Sequence, residues 1–280
     1  MTVTGDSSNS LQRHEMAYGI GELVPYINWA YFYHAWQLND RAEQLRMRGE
    51  AAGVLDMLAV RGYRAHAVFV LADANADGDD ILMGGVRLPM LRQQCVDGGG
   101  PCLCLADFVR PLSSGQTDRA GAFATTVDMG LETDFDGDDY MKMMVQLLAD
   151  RLAEAAAERM HEQVRTEFWG YAPDEHLTID ELHRECFTGI RPAVGYPSLP
   201  DASINFLLSD MLGMASVGIR LTESGAMKPH ASVSGLMIAH PRARYFAVGR
   251  IGEDQLADYA RRRGLPVEVM RRFLISNLKL

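Results

Sequence analysis

The sequence predicts one mixed α/β domain of the α+β type, in which helices surround an antiparallel or mixed sheet. Candidate strands come in clusters, whereas a parallel sheet would require regular alternation of strands and helices. No low-complexity linker divides the chain, which at 280 residues is long enough for one large hydrophobic core. Hydrophobic residues make up 48% of the chain and charged residues 23%, which is typical of a globular protein.

Helices are predicted where apolar residues recur at three- or four-residue steps. The most extended prediction covers residues 139–168, which contain neither proline nor glycine. A helix over residues 178–186 begins with a capping-box pattern, because Glu181 follows Thr178 by three positions. A helix over residues 40–60 is predicted from the periodic apolar residues Leu45, Ala52, Leu55 and Leu58. Further helices are predicted at residues 202–212, 253–263 and 266–277.

Strands are predicted where short apolar runs are rich in β-forming residues and end at turn signals. These runs cover residues 65–71, 81–88, 102–109, 121–129, 216–222, 230–239 and 244–251. Cys102 and Cys104 lie in one of them, and a buried strand is a better interpretation of this pair than a metal or redox role. Four cysteines in a chain of this size do not form a disulfide framework, so we expect a reducing, cytoplasmic compartment.

The composition argues against nucleic-acid and membrane functions. The formal net charge is −10 at pH 7, whereas nonspecific binding to nucleic acid depends on Lys and Arg that neutralise phosphates. The chain has no run of about 18 apolar residues that could span a bilayer. The N-terminus is polar and lacks the apolar stretch of a secretory signal. Residues 1–18 are therefore predicted to be a flexible leader, followed by a single domain at residues 19–280.

Two acidic segments imitate metal-binding loops. Residues 73–80 start like an EF-hand calcium loop, but the twelfth position, which requires a bidentate Glu, is Gly84. Residues 134–139 are better interpreted as a turn that places negative charge at the start of the long helix. The sequence also lacks HExxH, GxGxxG, Walker and GxSxG motifs, so neither a metal site nor a standard nucleotide-binding loop is predicted.

Longer stretches resemble a known family. The matching segments include LVPYINWAYFYHAWQL at residues 23–38, CLADFVRPLSSGQTD at 104–118, the segment from Leu148 to Glu175, GIRPAVGYPSLPD at 189–201 and AHPRARYFAVGRI at 239–251. In the same order, they are similar to motifs of the S-adenosylmethionine-binding reactivation domain, or activation domain, of cobalamin-dependent methionine synthase. The resemblance covers roughly residues 20–265, and it implies a curved domain with a twisted, mainly antiparallel sheet.

The resemblance also implies a function. In that family, cobalamin that has been oxidised to cob(II)alamin is restored by a one-electron donor, often flavodoxin, and by methyl transfer from S-adenosylmethionine. We therefore expect a methyltransferase component that binds S-adenosylmethionine and supports methionine biosynthesis. Nothing in the chain resembles the homocysteine, folate or cobalamin modules of full-length enzymes. A stand-alone chain would have to receive its cobalamin on a partner module in trans; otherwise the chain is an excised fragment.

The family motifs place several polar residues at the ligand. Arg191 corresponds to the partner of the ligand carboxylate, which a planar guanidinium can bind through two parallel hydrogen bonds. Glu185 matches an acidic position near the ligand ammonium, and Glu154 also falls on a family glutamate. Without the resemblance, Arg191 would be interpreted as a surface residue beside a turn, and Glu154 equally well as an exposed helix charge.

Small and aromatic residues complete the site that the resemblance implies. Ala193 and Gly195 would let the backbone approach the ligand closely. Tyr196 corresponds to the tyrosine that faces the corrin ring, and it is the one candidate for a catalytic role. Tyr245 and Phe246 match a pair on a late strand that holds the adenosine end, although ordinary core packing is the alternative for both.

Two positions depart from the family pattern. Asn28 replaces an aspartate that would pair with the ligand ammonium, and Val194 replaces a proline beside the Gly-Tyr turn. These changes leave open a second function, a module that binds or shields another corrinoid protein with weakened affinity for S-adenosylmethionine. A free-standing methyltransferase that acts without cobalamin is a third possibility, but no residue has the spacing of a general base beside a nucleophile.

Overall fold

An antiparallel sheet of six strands forms the centre of the protein. The computed structural model describes residues 11–94 and 99–279. The strands are β1 (Gln12–Gly19), β2 (Arg64–Asp77), β3 (Asp80–Met83), β4 (Val86–Pro89), β5 (Asp118–Val127) and β8 (Ser232–Met237), and a separate two-stranded sheet contains β6 (Arg220–Leu221) and β7 (Met227–Lys228). The order in the main sheet is β4-β3-β2-β5-β8, and β1 pairs with the first half of β2.

Helices cover both faces of this sheet. They are α1 (Ile20–Leu23), α2 (Trp29–Ala35), α3 (Arg41–Val60), α4 (Gly130–Thr133), α5 (Asp139–Gln163), α6 (Ile179–His183), α7 (Ile204–Leu212), α8 (Glu253–Arg263) and α9 (Val267–Phe273). The longest, α5, continues without a break into a π-helical turn at Val164–Phe168. Its N-terminus is capped by Asp138, whose carboxylate accepts a hydrogen bond of 3.0 Å from the amide of Met141.

Strand β2 separates two hydrophobic clusters. Ala67, Phe69 and Leu71 pack in the cluster that contains α3 and α5, whereas Val68 and Val70 pack in the cluster that contains α7. Because successive side chains point to opposite faces of a strand, an unbroken apolar run is required where both faces are covered. The run of apolar residues from position 67 to 72 is therefore explained by helices on both sides.

The predicted flexible leader is wrong for residues 12–18. These residues belong to β1, which pairs with β2 in antiparallel register from Gln12 opposite Leu71 to Gly19 opposite Arg64. The pairing satisfies the backbone groups of a polar segment whose side chains remain largely exposed, so its composition gave no strand signal. Residues 1–10 of the predicted leader lie outside the described residues.

Four predicted strands differ from the structure. Residues 81–88 form two strands, β3 and β4, which pair in antiparallel register across a turn at Gly84 and Gly85. Residues Leu105–Phe108 form a 3-10 turn, in which the Asp107 carboxylate accepts a hydrogen bond of 2.8 Å from the amide of Cys104. Of residues 216–222, only Arg220–Leu221 are in a strand. Residues 244–250 lie outside the strands, because their backbone groups form hydrogen bonds with loops and not with a neighbouring strand. The amide of Val248, for example, donates a hydrogen bond of 2.9 Å to the carbonyl of Pro197.

The buried face of α3 also differs from the prediction. Leu45 is 59% exposed and Ala52 is exposed, whereas Leu55 and Leu58 are buried as predicted. Met47 and Ala51 complete the buried face. The helix itself is confirmed, and Asp40 caps its N-terminus by accepting hydrogen bonds from the amides of residues 42 and 43.

The segment that imitates a calcium loop is a hairpin between β2 and β3. Asp79 pairs with Arg92 at 2.6 Å, and Asp80 pairs with Arg87, also at 2.6 Å, so arginines compensate the acidic charge. Within residues 11–94 and 99–279, no group of three His, Cys, Asp or Glu side chains is placed to hold a metal ion. No helix in these ranges has the length and apolar character needed to cross a bilayer.

Candidate functional site

The segment 190–194 lies against the free edge of β8 and extends the sheet. Ile190 and Ile238 exchange two backbone hydrogen bonds of 2.9 and 3.0 Å, and the amide of Val194 donates to the carbonyl of Ser234 at 2.8 Å. Glycine at position 235 permits this approach, since an added Cβ would overlap the carbonyl oxygen of Pro192. The sheet edge thus fixes the backbone on both sides of Arg191 and Ala193.

A tight turn follows this segment and presents Tyr196 to solvent. Gly195 has a φ of +87°, a left-handed conformation that favours glycine, and its amide donates a hydrogen bond of 2.8 Å to the carbonyl of Leu199. Tyr196 is 56% exposed at the tip of the turn. The hydroxyl of Ser198 accepts a hydrogen bond of 3.1 Å from the amide of Phe246, which ties the turn to the segment after β8.

The guanidinium of Arg191 is held between an aromatic ring and a carboxylate. Its Cζ lies 5.6 Å from the centre of the Phe123 ring, and its Nη2 donates to the carboxylate of Glu158 on α5. The main-chain amide of Arg191 donates a hydrogen bond of 2.9 Å to the phenolic oxygen of Tyr245. Burial raises the pKa of Tyr245 to about 12, so this phenol is neutral at physiological pH.

Helix α5 supplies one wall of the site through a row of polar residues. Glu154, Glu158, His161 and Arg165 follow one another at steps of four, three and four residues, so they share one face of the helix. We name these four residues the α5 polar stripe. At its buried end, Arg165 forms an ion pair of 2.6 Å with Glu175 and donates a hydrogen bond of 2.9 Å to Nδ1 of His161.

His161 is a neutral member of the stripe. An arginine can only donate hydrogen bonds, so Nδ1 of His161 accepts and the ring proton resides on Nε2. Burial holds the pKa of His161 well below its usual value, and the positive charges of Arg165 and Arg191 lower it further. Both guanidinium groups thus lie within electrostatic range of an uncharged ring.

Negative charge surrounds Arg191. Desolvation raises the pKa of Glu185, the Glu158 carboxylate adds to this increase, and Arg191 opposes it. Glu185 therefore lies within electrostatic range of both members of the ion pair. A guanidinium with one ion-paired carboxylate and a second acidic group within electrostatic range suits a ligand that carries a cation beside its own carboxylate.

Glu154 and Tyr196 line a small cavity of about 120 Å³ at the exposed end of the stripe. The cavity lies between α5, the turn at Gly195 and the residues that lead into β8. Arg151 pairs with Glu154 at 3.1 Å and lies 5.6 Å from the centre of the Tyr31 ring, which places α2 beside this end. The cavity accommodates only a small part of a nucleoside-sized ligand.

Most of the predicted residues thus fall into two groups. Arg191, Glu185 and Tyr245 lie together, and Glu154, Val194 and Tyr196 share the cavity. Phe246 packs near Phe108 with a ring distance of 6.4 Å, and neither it nor Tyr245 lies in the late strand that was predicted. Asn28 caps α2, because its side chain accepts a hydrogen bond of 3.2 Å from the amide of Ala30.

Glu158 and Ser198 belong to the site but were not predicted from the sequence. Glu158 follows Glu154 by one helical turn, and this spacing was a usable signal because it places both carboxylates on one face of α5. Ser198 had no comparable signal, since its partner Phe246 lies 48 residues away in the chain.

Comparison with known proteins supports the predicted family. The family profile described as "Vitamin B12 dependent methionine synthase, activation domain" matches residues 19–264. A crystal structure of "the MetH Reactivation Domain bound to AdoHcy" is 40% identical in sequence, covers 96% of this chain and 91% of that chain, and superimposes with a TM-score of 0.91. This likeness confirms the predicted fold, an α/β domain whose curved antiparallel sheet is surrounded by helices. The chain belongs to the family of activation domains of vitamin B12-dependent methionine synthases.

Proposed function

We propose that this chain binds S-adenosylmethionine and reactivates a cobalamin-dependent methionine synthase whose cobalamin is held on a separate module. The observation that carries the proposal is the group formed by Arg191, Glu158 and Glu185 beside the exposed Tyr196. The related domain described above was crystallised with AdoHcy, the compound that S-adenosylmethionine becomes when it loses its methyl group. By this likeness, we propose that this chain binds the same class of ligand, S-adenosylmethionine and its demethylated product.

The charges around Arg191 fit the amino-acid end of such a ligand. The guanidinium would bind the carboxylate, and the carboxylate of Glu185 would face the ammonium. Within the described parts of the chain, Nε of Arg191 has no hydrogen-bond partner, although the atom is buried. Buried donors are normally paired, so this N–H group supports an acceptor such as a ligand carboxylate at this position.

For the remaining predicted residues, we propose the roles that the family resemblance implies. The backbone at Ala193 and Gly195 would approach the ligand closely, and Tyr245 and Phe246 would contact its adenosine end. S-adenosylmethionine supplies the methyl group, and Tyr196 would face the corrin of the partner module, consistent with its exposure at the tip of the turn. A flavodoxin-like protein would supply the electron in the cytoplasm, and the chain itself would act as one component of a methyltransferase.

A binding measurement tests the first half of the proposal. Titration calorimetry of the full chain with S-adenosylmethionine should show micromolar affinity, and Arg191→Ala should weaken it at least tenfold, because a hydrogen bond between charged groups is worth about 1.5–3 kcal/mol. Arg46→Ala is the matched control, since Arg46 pairs with Glu50 on the exposed face of α3. No heat at millimolar ligand would favour the alternative, a module that binds or shields a corrinoid protein.

A transfer assay tests the second half. The chain is mixed with a cobalamin module of methionine synthase, a reductant and S-adenosylmethionine labelled in its methyl group. The expected result is label bound to cobalt only when all components are present. If the chain binds the ligand but no label reaches cobalt with any reductant, a reactivation role is wrong even though the ligand assignment stands.

A further inference from the structure

The side chain of Arg191 is oriented by Glu158 rather than by the segment that carries it. Backbone hydrogen bonds to β8 hold residues 190 and 194, but they do not determine the side-chain torsions of Arg191. The ion pair with Glu158 and the Phe123 ring fix the guanidinium, whose side chain is only 11% exposed. Glu158 is itself held on α5, the longest helix of the protein.

Glu158 is poorly placed to be a simple surface counterion. Its side chain is 19% exposed, and only one of its two carboxylate oxygens contacts Arg191. An arginine offers five N–H groups in a planar fork, so the contact through Nη2 leaves further donors for a second carboxylate. Because Glu158 orients the guanidinium before the ligand binds, the free energy of binding does not include the entropy cost of ordering this side chain.

We infer that Glu158 is a positioning residue for ligand recognition: it holds the Arg191 guanidinium in the orientation that binds the amino-acid carboxylate of the ligand. This inference rests on the proposed function. It assigns to the Arg191–Glu158 pair the selectivity for ligands with a free carboxylate, whereas the adenosine end is recognised elsewhere. Glu158 acts through Arg191 and need not touch the ligand itself.

The test compares two ligands and three variants of the full chain. The ligands are S-adenosylhomocysteine and its decarboxylated analogue, which lacks the group that Arg191 would bind. Glu158→Ala should weaken binding of the first ligand about tenfold or more and change binding of the analogue less than about twofold. Glu158→Gln keeps an oxygen that accepts from Arg191 and should recover most of the affinity. Glu162→Ala removes a different Arg–Glu pair from the same helix, that with Arg159, and should leave both affinities unchanged.

Binding of the analogue also reports whether each variant still folds around its site. Equal losses for both ligands in Glu158→Ala would show a structural role and overturn the inference. Tighter binding of S-adenosylhomocysteine would overturn it as well, since Glu158 would then be a competitor for Arg191. If Arg191→Ala weakens binding but Glu158→Ala does not, only this inference fails. If the wild-type chain binds neither ligand, the proposed function fails first.

Discussion

The amide of Arg191 donates a hydrogen bond of 2.9 Å to the phenolic oxygen of Tyr245, 54 residues later in the chain. The bond joins the segment at the edge of β8 to the loop that follows β8. Burial raises the pKa of Tyr245 to about 12, so the phenol stays neutral and the bond persists across the physiological pH range. The bond thus links two residues that the family resemblance places at the ligand: the hydroxyl of one holds the backbone of the other.

Tyr245→Phe should destabilise the protein modestly. The variant removes the acceptor of the Arg191 amide, which costs about 0.5–1.5 kcal/mol for a neutral hydrogen bond. Tyr245 is 37% exposed, so water can partly replace the hydroxyl and a value at the lower end is expected. Urea unfolding measures the change, with Tyr31→Phe as the control for loss of an exposed tyrosine hydroxyl. Equal stability of Tyr245→Phe and the wild type would contradict this role.

Asn28→Asp should tighten binding of S-adenosylmethionine about tenfold, because a charged partner for the ammonium replaces a neutral one. The cap of α2 should survive, since an aspartate oxygen can accept the same hydrogen bond from Ala30. Calorimetry measures the affinity, and Asn39→Asp serves as the control for added charge on an exposed residue. Unchanged or weaker binding in Asn28→Asp would place the ammonium away from this residue.

Gly235→Ala should displace the segment that carries Arg191. The new methyl group would overlap the carbonyl of Pro192 and lie 2.9 Å from Cα of Ala193, and overpacking of this kind costs about 1–3 kcal/mol. Gly49→Ala is the control, because nothing lies within 4 Å of its added Cβ on α3. There, alanine should instead raise the free energy of unfolding by about 0.5–1 kcal/mol. Thermal or urea unfolding of both variants separates steric overlap from the general effect of removing a glycine.

His161 should make the protein less stable at acidic pH. Its folded pKa is held below the unfolded value, so the unfolded chain takes up a proton that the folded protein excludes. Above about pH 6.5 the ring is neutral in both states and does not affect stability. Below that pH, the free energy of unfolding falls by up to about 1.4 kcal/mol per pH unit. His161→Gln keeps an acceptor for Arg165 but cannot titrate. Between about pH 7.5 and 5.5, its free energy of unfolding should therefore fall less than that of the wild type; parallel curves would contradict the prediction.

Local signals predicted α3, α5, α6, α7, α8 and α9 but missed the short helices α1, α2 and α4. The caps at Asp40, Asp138 and Thr178 depend on residues within a few positions, and all three form as short-range patterns allow. The buried face of α3 was predicted less well. The periodicity of a sequence indicates which residues share a helix face, but not which face packs against the core. Leu45 is exposed and Met47 is buried for that reason.

Long-range partners explain what the sequence could not predict. The apolar run at residues 102–109 satisfied a strand pattern, yet Asp107 and Arg92 hold it as a turn. Strand β1 is polar and is recognised only once its partner β2 is known. In the site, Arg191 was predicted from family motifs. The contact of Glu158 with Arg191 depends on the packing of α5 beside the edge of β8, which the sequence alone does not show.

The α5 polar stripe ties three charged residues and His161 to the register of a single helix. Each residue of an α-helix advances by about 100° around the axis. One residue inserted into α5 ahead of Glu154 would turn the whole stripe by that angle, and Glu154 would take the position of the buried Ala155. The number of residues between the cap at Asp138 and Glu154 is therefore constrained, because a single insertion or deletion would displace the α5 polar stripe.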